Sequence, residues 1–136
     1  MVRDIVHDVI FLGKRSETAT AQDTSIADDL MDTLKANSER CVGMAANMIG
    51  FSKRIIAFQD GSNYSEMFNP IILKASDPFE TSEGCLSLTG SREVTRFHSI
   101  KVQWQTRTMK PRIKTFTGWT AQIIQHEIDH CNGIII

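Results

Sequence analysis

The residues best suited to chemistry form a His-Glu-x-x-His motif, His126-Glu127-Ile128-Asp129-His130. Side chains at positions i and i+4 of an α-helix lie on one face, so His126 and His130 can present imidazole nitrogens to one metal ion. Glu127 follows the first histidine directly, which places its carboxylate beside such an ion, where a general base for water belongs. The motif therefore indicates a catalytic metal carried by a helix.

The same pattern also occurs by chance, and a histidine pair on a helix is often an ordinary core pair. The surrounding sequence favours the metal. Apolar residues on more than one side of the helix predict burial on most sides: Trp119, Ile123, Ile124 and Ile128. Histidines and carboxylates in so apolar a helix are costly unless a metal and hydrogen-bond partners satisfy them. Thr117 is the predicted N-cap of this helix.

A third protein ligand must come from elsewhere in the chain. In metzincin-like sites it is a histidine six residues after the second one, but that position here is Ile136. The ligand is therefore expected upstream, among the carboxylates or His7, His98, Cys41 and Cys85. Cys85, within Glu83-Gly84-Cys85-Leu86-Ser87, is the best of these, because two histidines and one thiolate leave a fourth position open. Alone, that segment is also consistent with a turn around a buried thiol.

Composition limits the class of protein. With 136 residues, 41% hydrophobic and 23% charged, the chain is predicted to be one globular domain spanning 1–136. A net charge of -1 gives no support for nucleic-acid binding, and no apolar run is long enough to span a membrane. Three cysteines without a pairing pattern, and no signal-peptide layout, predict a cytoplasmic protein in which Cys41 and Cys131 are buried.

Other elements must position these residues. Hydrophobic spacing predicts an amphipathic helix over 21–37, preceded by a capping box from Thr20 to Asp23. Small residues within 41–50 allow the backbone to approach another element closely, although a tight loop packed on a strand is the slightly favoured alternative. Strands are predicted at 54–58, 67–73, 100–105 and 112–116. Pro70 predicts that the second of these strands is bent or lies at an edge.

Three stretches together resemble the peptide deformylase family, whose motifs run Gly-x-Gly-apolar-Ala-Ala-x-Gln, Glu-Gly-Cys-apolar-Ser and His-Glu-x-x-His. The second motif is complete at 83–87 and the third at 126–130, in the family's order and separation. The resemblance implies an α+β fold, with antiparallel sheets packed around a central buried helix that carries the His-Glu-x-x-His motif. It also implies a metal-dependent hydrolase that removes the N-formyl group from the initiator methionine of nascent polypeptides and releases formate.

The resemblance assigns roles to individual residues. It implies that Cys85, His126 and His130 bind one divalent metal ion, natively Fe2+, with Zn2+, Ni2+ or Co2+ as other occupants. It implies that Glu127 is the general base and that the backbone N–H of Leu86 donates to the developing oxyanion. The implied partners are N-formylmethionyl peptides of nascent chains near the ribosome, with no nucleic-acid or membrane partner.

Substrate contacts are predicted around the first motif and the start of the motif helix. Small residues near Gly43 suit backbone hydrogen bonds to a peptide. Val42, Trp119 and Ile123 are predicted to form an apolar methionine pocket, with ordinary core packing as the open alternative.

The first motif departs from the family pattern. Cys41 replaces its first glycine, and Met48 stands where the family has a glutamine that donates to the oxyanion. A thioether cannot donate, and losing one such donor typically costs on the order of a hundredfold in rate. Asn47 is adjacent, but neighbouring positions usually point in different directions. Two alternatives therefore stay open: a homologue with weak or lost activity that acts as a peptide-binding or regulatory protein, and a metallopeptidase that cuts ordinary peptide bonds.

Overall fold

A computed structural model describes residues 1–134, so Ile136, at the metzincin position, lies outside the described residues. The helices are α1 (Val9–Leu12), α2 (Thr24–Ala36) and α3 (Gly118–Cys131). The strands are β1 (Gly43–Ala45), β2 (Ile55–Asp60), β3 (Asn63–Cys85), β4 (Leu88–Gln105) and β5 (Pro111–Thr117). Within the described part of the chain, none of the helices is long and apolar enough to cross a bilayer.

The five strands form one antiparallel sheet in the order β1-β2-β3-β4-β5. The predicted strand at 67–73 lies within the longer β3, and its expected bend coincides with a register shift between Phe68 and Ile71. A later register shift separates Gly84 from Cys85 at the end of the β3–β4 hairpin. Because such a shift disrupts the ladder and redirects the strand, Cys85 leaves the regular pairing where the hairpin turns.

Strand β2 lies at the centre of the core because both of its faces are buried. Ile56 and Phe58 share a cluster with Ile124 and Ile128 of α3, so this face of the sheet packs on the motif helix. The alternate residues of β2 share a second cluster with α2 and with the 3₁₀ turn Ala46–Ile49. The motif helix is therefore held against one face of the sheet, as the α+β expectation requires.

The smaller elements agree with the sequence pattern. Thr20 and Asp23 form the predicted capping box, and a 3₁₀ turn followed by α2 occupies the predicted helix. On β4, Ile100 and Val102 are buried whereas Lys101 is exposed, which confirms the predicted alternation. Strand β5 pairs with β4 over the predicted stretch.

Two expectations about the motif helix need correction. Trp119 was expected on a buried side of α3, but it is 62% exposed, because the first turn of the helix reaches the mouth of a surface pocket. Thr117 occupies the N-cap position, but its side chain makes no capping hydrogen bond. It is also the last paired residue of β5, opposite Ser99.

Replacing Ile124 with alanine is expected to destabilise the protein by about 2–5 kcal/mol, because removing a fully buried side chain leaves a cavity. The matched control is Ile113→Ala, which removes the same atoms from a side chain that is 56% exposed. That control is expected to lie within about 0.5 kcal/mol of the wild type. Urea denaturation measures both variants, and equal losses would contradict the packing of α3 described above.

Candidate active site

Helix α3 and the β3–β4 hairpin bring three donor atoms together. The two Nε2 atoms of His126 and His130 are 3.1 Å apart, as helical spacing predicts for residues one turn apart. Cys85 Sγ lies 3.2 Å from Nε2 of His130. The three donor atoms all lie within 4.8 Å of one another. The structure therefore brings together the three residues that the sequence analysis named as metal ligands.

The other residues considered as the third metal ligand do not join this group of donor atoms. His7 Nδ1 is 2.9 Å from the backbone oxygen of Ser87, and the ring of His98 stacks on Phe79. Cys41 does not belong to the donor group. The expectation that Cys41 is fully buried is wrong: its side chain is half-buried in the pocket wall, and its thiol donates to the Gly43 carbonyl. Cys131 is fully buried, as expected.

Glu83 orients the first histidine. Its carboxylate accepts a hydrogen bond from Nδ1 of His126 at 2.8 Å, so Nδ1 carries a proton and Nε2 faces the other donors. Gln122 and Arg96 also donate to Glu83, at 2.8 Å and 2.7 Å. Burial raises the pKa of Glu83, but the bonds from His126, Arg96 and Gln122 outweigh it and lower the pKa to about 2. The Glu83 carboxylate is therefore negatively charged at neutral pH and contacts the Nδ1 side of the His126 ring.

The pKa values of the two histidines are shifted in opposite directions by their surroundings. Burial lowers the pKa of His126, but the Glu127 charge and bonds to Cys85 and Glu83 outweigh it and raise the pKa to about 10. Burial and the neighbouring positive charge of His126 lower the pKa of His130 to about 3. The surroundings thus favour the charged form of His126 and the neutral form of His130, and the two Nε2 atoms lie 3.1 Å apart.

The donor set fits a divalent metal ion. A thiolate and two imidazoles are ligands that zinc and iron accept, and their convergence from two elements leaves room for a fourth ligand on the pocket side. In residues 1–134, Nδ1 of His130 and Oε1 of Glu127 are buried without a hydrogen-bond partner. Buried polar atoms normally have a partner, so Oε1 of Glu127 agrees with a site that binds a further group, whereas Nδ1 of His130 is not the nitrogen that faces the other donors.

Glu127 lines the same pocket as Cys85 and His126, and its side chain is buried. Burial raises the pKa of this carboxyl to about 7, although the positive charge of His126 opposes the rise. A pKa near the working pH suits a group that must accept and return a proton. A Cβ added to Gly43 would lie 2.8 Å from Oε2 of Glu127 and 2.8 Å from Cγ2 of Ile123. The close backbone approach that the small residues allow therefore occurs at Gly43, next to Glu127.

A pocket of about 380 Å³ opens onto the donors. Its wall includes Cys85, His126 and Glu127. It also includes every residue that the sequence analysis named for substrate or oxyanion contacts: Val42, Gly43, Met48, Leu86, Trp119 and Ile123. Sequence reasoning missed Arg40 and Gln122, which also line the wall. The position of Arg40 next to the first motif was the only local signal for it.

Met48 and Asn47 point in different directions, as expected for adjacent residues. Met48 is buried in the 3₁₀ turn and contributes to the pocket wall. Asn47 instead donates from Nδ2 to the backbone oxygen of His130 at 3.0 Å. The Asn47 side-chain amide is therefore already hydrogen-bonded to α3, and it does not replace the glutamine donor that is missing at position 48.

A helix with two histidines, a cysteine from a hairpin and a buried carboxylate beside an open pocket define a metal-dependent hydrolase of α+β fold. A family model described as "Polypeptide deformylase" matches residues 6–136. The chain is 52% identical to the peptide deformylase of Clostridium beijerinckii over the full length of both chains. It is 35% identical to that of Pelotomaculum thermopropionicum, over 96% of this chain and 88% of the relative.

Solved structures of peptide deformylases are also similar to this chain. The peptide deformylase of Legionella pneumophila is 31% identical and superposes with a TM-score of 0.88, over 99% of this chain and 83% of its own. A Met-Ala-Ser-bound class I type b peptide deformylase of Acinetobacter baumannii is 28% identical, with a TM-score of 0.89, over 99% and 97%. The chain belongs to the peptide deformylase family. The expected fold and the expected enzyme class, a metal-dependent peptide deformylase, are confirmed.

Metal affinity is expected to rise with pH. His126 has a pKa of about 10 without the metal, and a ligand must lose its proton to bind, so protons compete with the metal at every pH below that value. Each displaced proton makes the apparent affinity rise about tenfold per pH unit. Chelator competition for Zn2+ between about pH 6 and 8 measures the slope. An affinity that does not change with pH would show that His126 binds the metal without releasing a proton.

Proposed function

We propose that this chain removes the N-formyl group from the initiator methionine of nascent polypeptides, with its catalytic groups gathered in one domain spanning 1–136. The observation that carries the proposal is the convergence of Cys85, His126 and His130 within 4.8 Å, beside the buried carboxylate of Glu127. Relatives named as peptide deformylases, one of them 52% identical over the full chain, support the same reaction.

Cys85, His126 and His130 would hold one divalent metal ion, and we propose Fe2+ natively, with Zn2+, Ni2+ or Co2+ as possible replacements. When bound, such an ion supplies a Lewis acid that lowers the pKa of water and polarises a carbonyl. The mixed thiolate and imidazole donors support this choice of metals. We further propose that the enzyme works in the cytoplasm on chains near the ribosome. The free thiols of all three cysteines support a reducing compartment.

The proton transfers are assigned to Glu127. Its carboxylate takes a proton from the attacking water as the new C–O bond forms at the formyl carbon. The same group then gives the proton to the amine nitrogen as the C–N bond breaks, so that formate and a free methionyl amine leave. Burial raises the pKa of Glu127, which favours a carboxyl that both accepts and returns a proton.

The pocket wall orients the substrate and receives the developing negative charge. In this proposal the backbone N–H of Leu86, a residue of the pocket wall, donates to the formyl oxygen, which becomes anionic as the tetrahedral intermediate forms. Peptide groups of the substrate align along the backbone near Gly43, where a side chain would clash with Glu127. Val42, Trp119 and Ile123 supply apolar contacts for the methionine side chain.

A weakly active homologue with a peptide-binding or regulatory role is the second candidate. Met48 in the pocket wall favours it, because this residue gives no hydrogen bond to the oxyanion and Asn47 does not replace it. The complete donor set and the buried base oppose it. Formate release from formyl-Met-Ala-Ser, measured anaerobically with Fe2+ or Ni2+, decides between the two. An unblocked peptide in the same assay tests for a metallopeptidase, and a deformylase leaves it intact.

Glu127→Ala is expected to keep the metal but to lower formate release by about a hundredfold to ten-thousandfold, because the general base is lost. Cys85→Ala is expected to lose both metal and activity, since one of three protein ligands is removed. Elemental analysis after desalting and a formate assay separate the two outcomes. Normal turnover by the Glu127 variant would refute its assignment as the base.

Met48→Gln is expected to raise kcat, by up to about a hundredfold, because a glutamine amide at this position restores an oxyanion donor. The matched control is Met31→Gln on α2, which introduces the same group outside the pocket wall and leaves kcat unchanged. Steady-state kinetics with formyl-Met-Ala-Ser measures both variants. No gain from the Met48 variant would mean that another group already stabilises the oxyanion.

A further inference from the structure

Arg40 carries a charge at the pocket wall that the mechanism above does not use. The residue is exposed, and it lines the pocket next to the first motif. Its guanidinium donates from Nη2 to the Asn37 side-chain oxygen at 2.6 Å. Within residues 1–134, no carboxylate forms an ion pair with Arg40. Most donors of this guanidinium are therefore free to contact a molecule in the pocket.

Three other arginines have acidic partners, whereas Arg15, Arg54, Arg92 and Arg112 form no ion pair within the described residues and do not line the pocket. Arg96 pairs with Glu83, Arg107 with Glu66, and Arg3 with Asp29.

The other charges of the pocket lie deeper and are already engaged. Glu83 is neutralised by Arg96 and His126, and Glu127 lies buried beside the metal ligands. Burial raises the pKa of the Cys41 thiol to about 12, and the Arg40 charge is among the groups that oppose this rise. The charge of Arg40 thus acts on the pocket wall, where it is the positive group closest to solvent.

A bound substrate must pass this charge. In the proposed reaction the formyl group lies at the metal ligands and the methionine side chain enters the apolar part of the pocket. The rest of the peptide has to leave through the mouth, whose wall includes Arg40 and the exposed ring of Trp119. Side chains that follow the initiator methionine therefore come within reach of a guanidinium that lacks a carboxylate partner.

We infer that Arg40 makes this enzyme prefer formylated chains with aspartate or glutamate shortly after the initiator methionine over chains with lysine there. The inference rests on the proposed function, because it assumes that the formyl group lies at the metal ligands. An exposed ion pair of this kind contributes little, so the preference is expected to be about two- to fivefold in kcat/KM. The preference for acidic peptides is expected mainly as a lower KM, and it weakens as added salt screens the charges.

The test compares C-terminally amidated formyl-Met-Asp-Ala and formyl-Met-Lys-Ala as substrates of the metal-loaded enzyme. The wild type is expected to favour the aspartyl peptide, and Arg40→Glu is expected to reverse the preference. The matched control is Arg112→Glu, which makes the same charge change at an exposed arginine outside the pocket wall. This control keeps the wild-type preference. Equal kcat/KM values for the wild type, or a reversal by the Arg112 variant as well, would overturn the inference.

Two further measurements separate this inference from the proposed function. Failure of the wild type to release formate from neutral formyl-Met-Ala-Ala would refute the proposed function. Calorimetric binding of the product peptides Met-Asp-Ala and Met-Lys-Ala still tests Arg40 in that case. Tighter binding of the aspartyl peptide, lost in Arg40→Glu, supports the inference. Equal binding of the two peptides by the wild type contradicts it.

Discussion

A buried guanidinium joins the two parts of the chain that make the site. Arg96 on β4 is only 4% exposed. It donates to Glu83 of the hairpin at 2.7 Å and to Asp129 of α3 at 2.6 Å. A buried charge is costly when a partner is missing, so the arrangement is stable only with both carboxylates in place. Because Glu83 also holds His126, one network fixes the hairpin against the helix and orients the His126 ring.

Two carboxyl groups of the site differ in role because their surroundings differ. Hydrogen bonds to His126, Arg96 and Gln122 outweigh burial at Glu83 and hold its pKa near 2. Glu127 lacks such donors, and burial raises its pKa to about 7. Environments that push two pKa values apart mark a permanent anion and a proton carrier. The same kind of side chain thus has a lowered pKa at Glu83 and a raised pKa at Glu127.

Much of the site could be predicted from the sequence because its parts follow local rules. Helical spacing places His126 over His130, and the family motif identified Cys85 before any geometry was known. Arg96 had no local signal, since its partners lie 13 and 33 positions away and meet it only in the folded sheet. The exposure of Trp119 was not predicted, because an apolar pattern does not show that the first turn of the helix lies at the mouth of a pocket.

The hairpin origin of Cys85 has a consequence for how the protein matures. Its thiol lies 45 positions from His130 along the chain, and it meets the two imidazoles only after β3, β4 and α3 have packed. A cation that needs all three donors therefore selects the native form and adds its binding free energy to the stability of that form. The supply of the metal ion would thus set how much of the newly made protein survives proteolysis as well as how much of it is active.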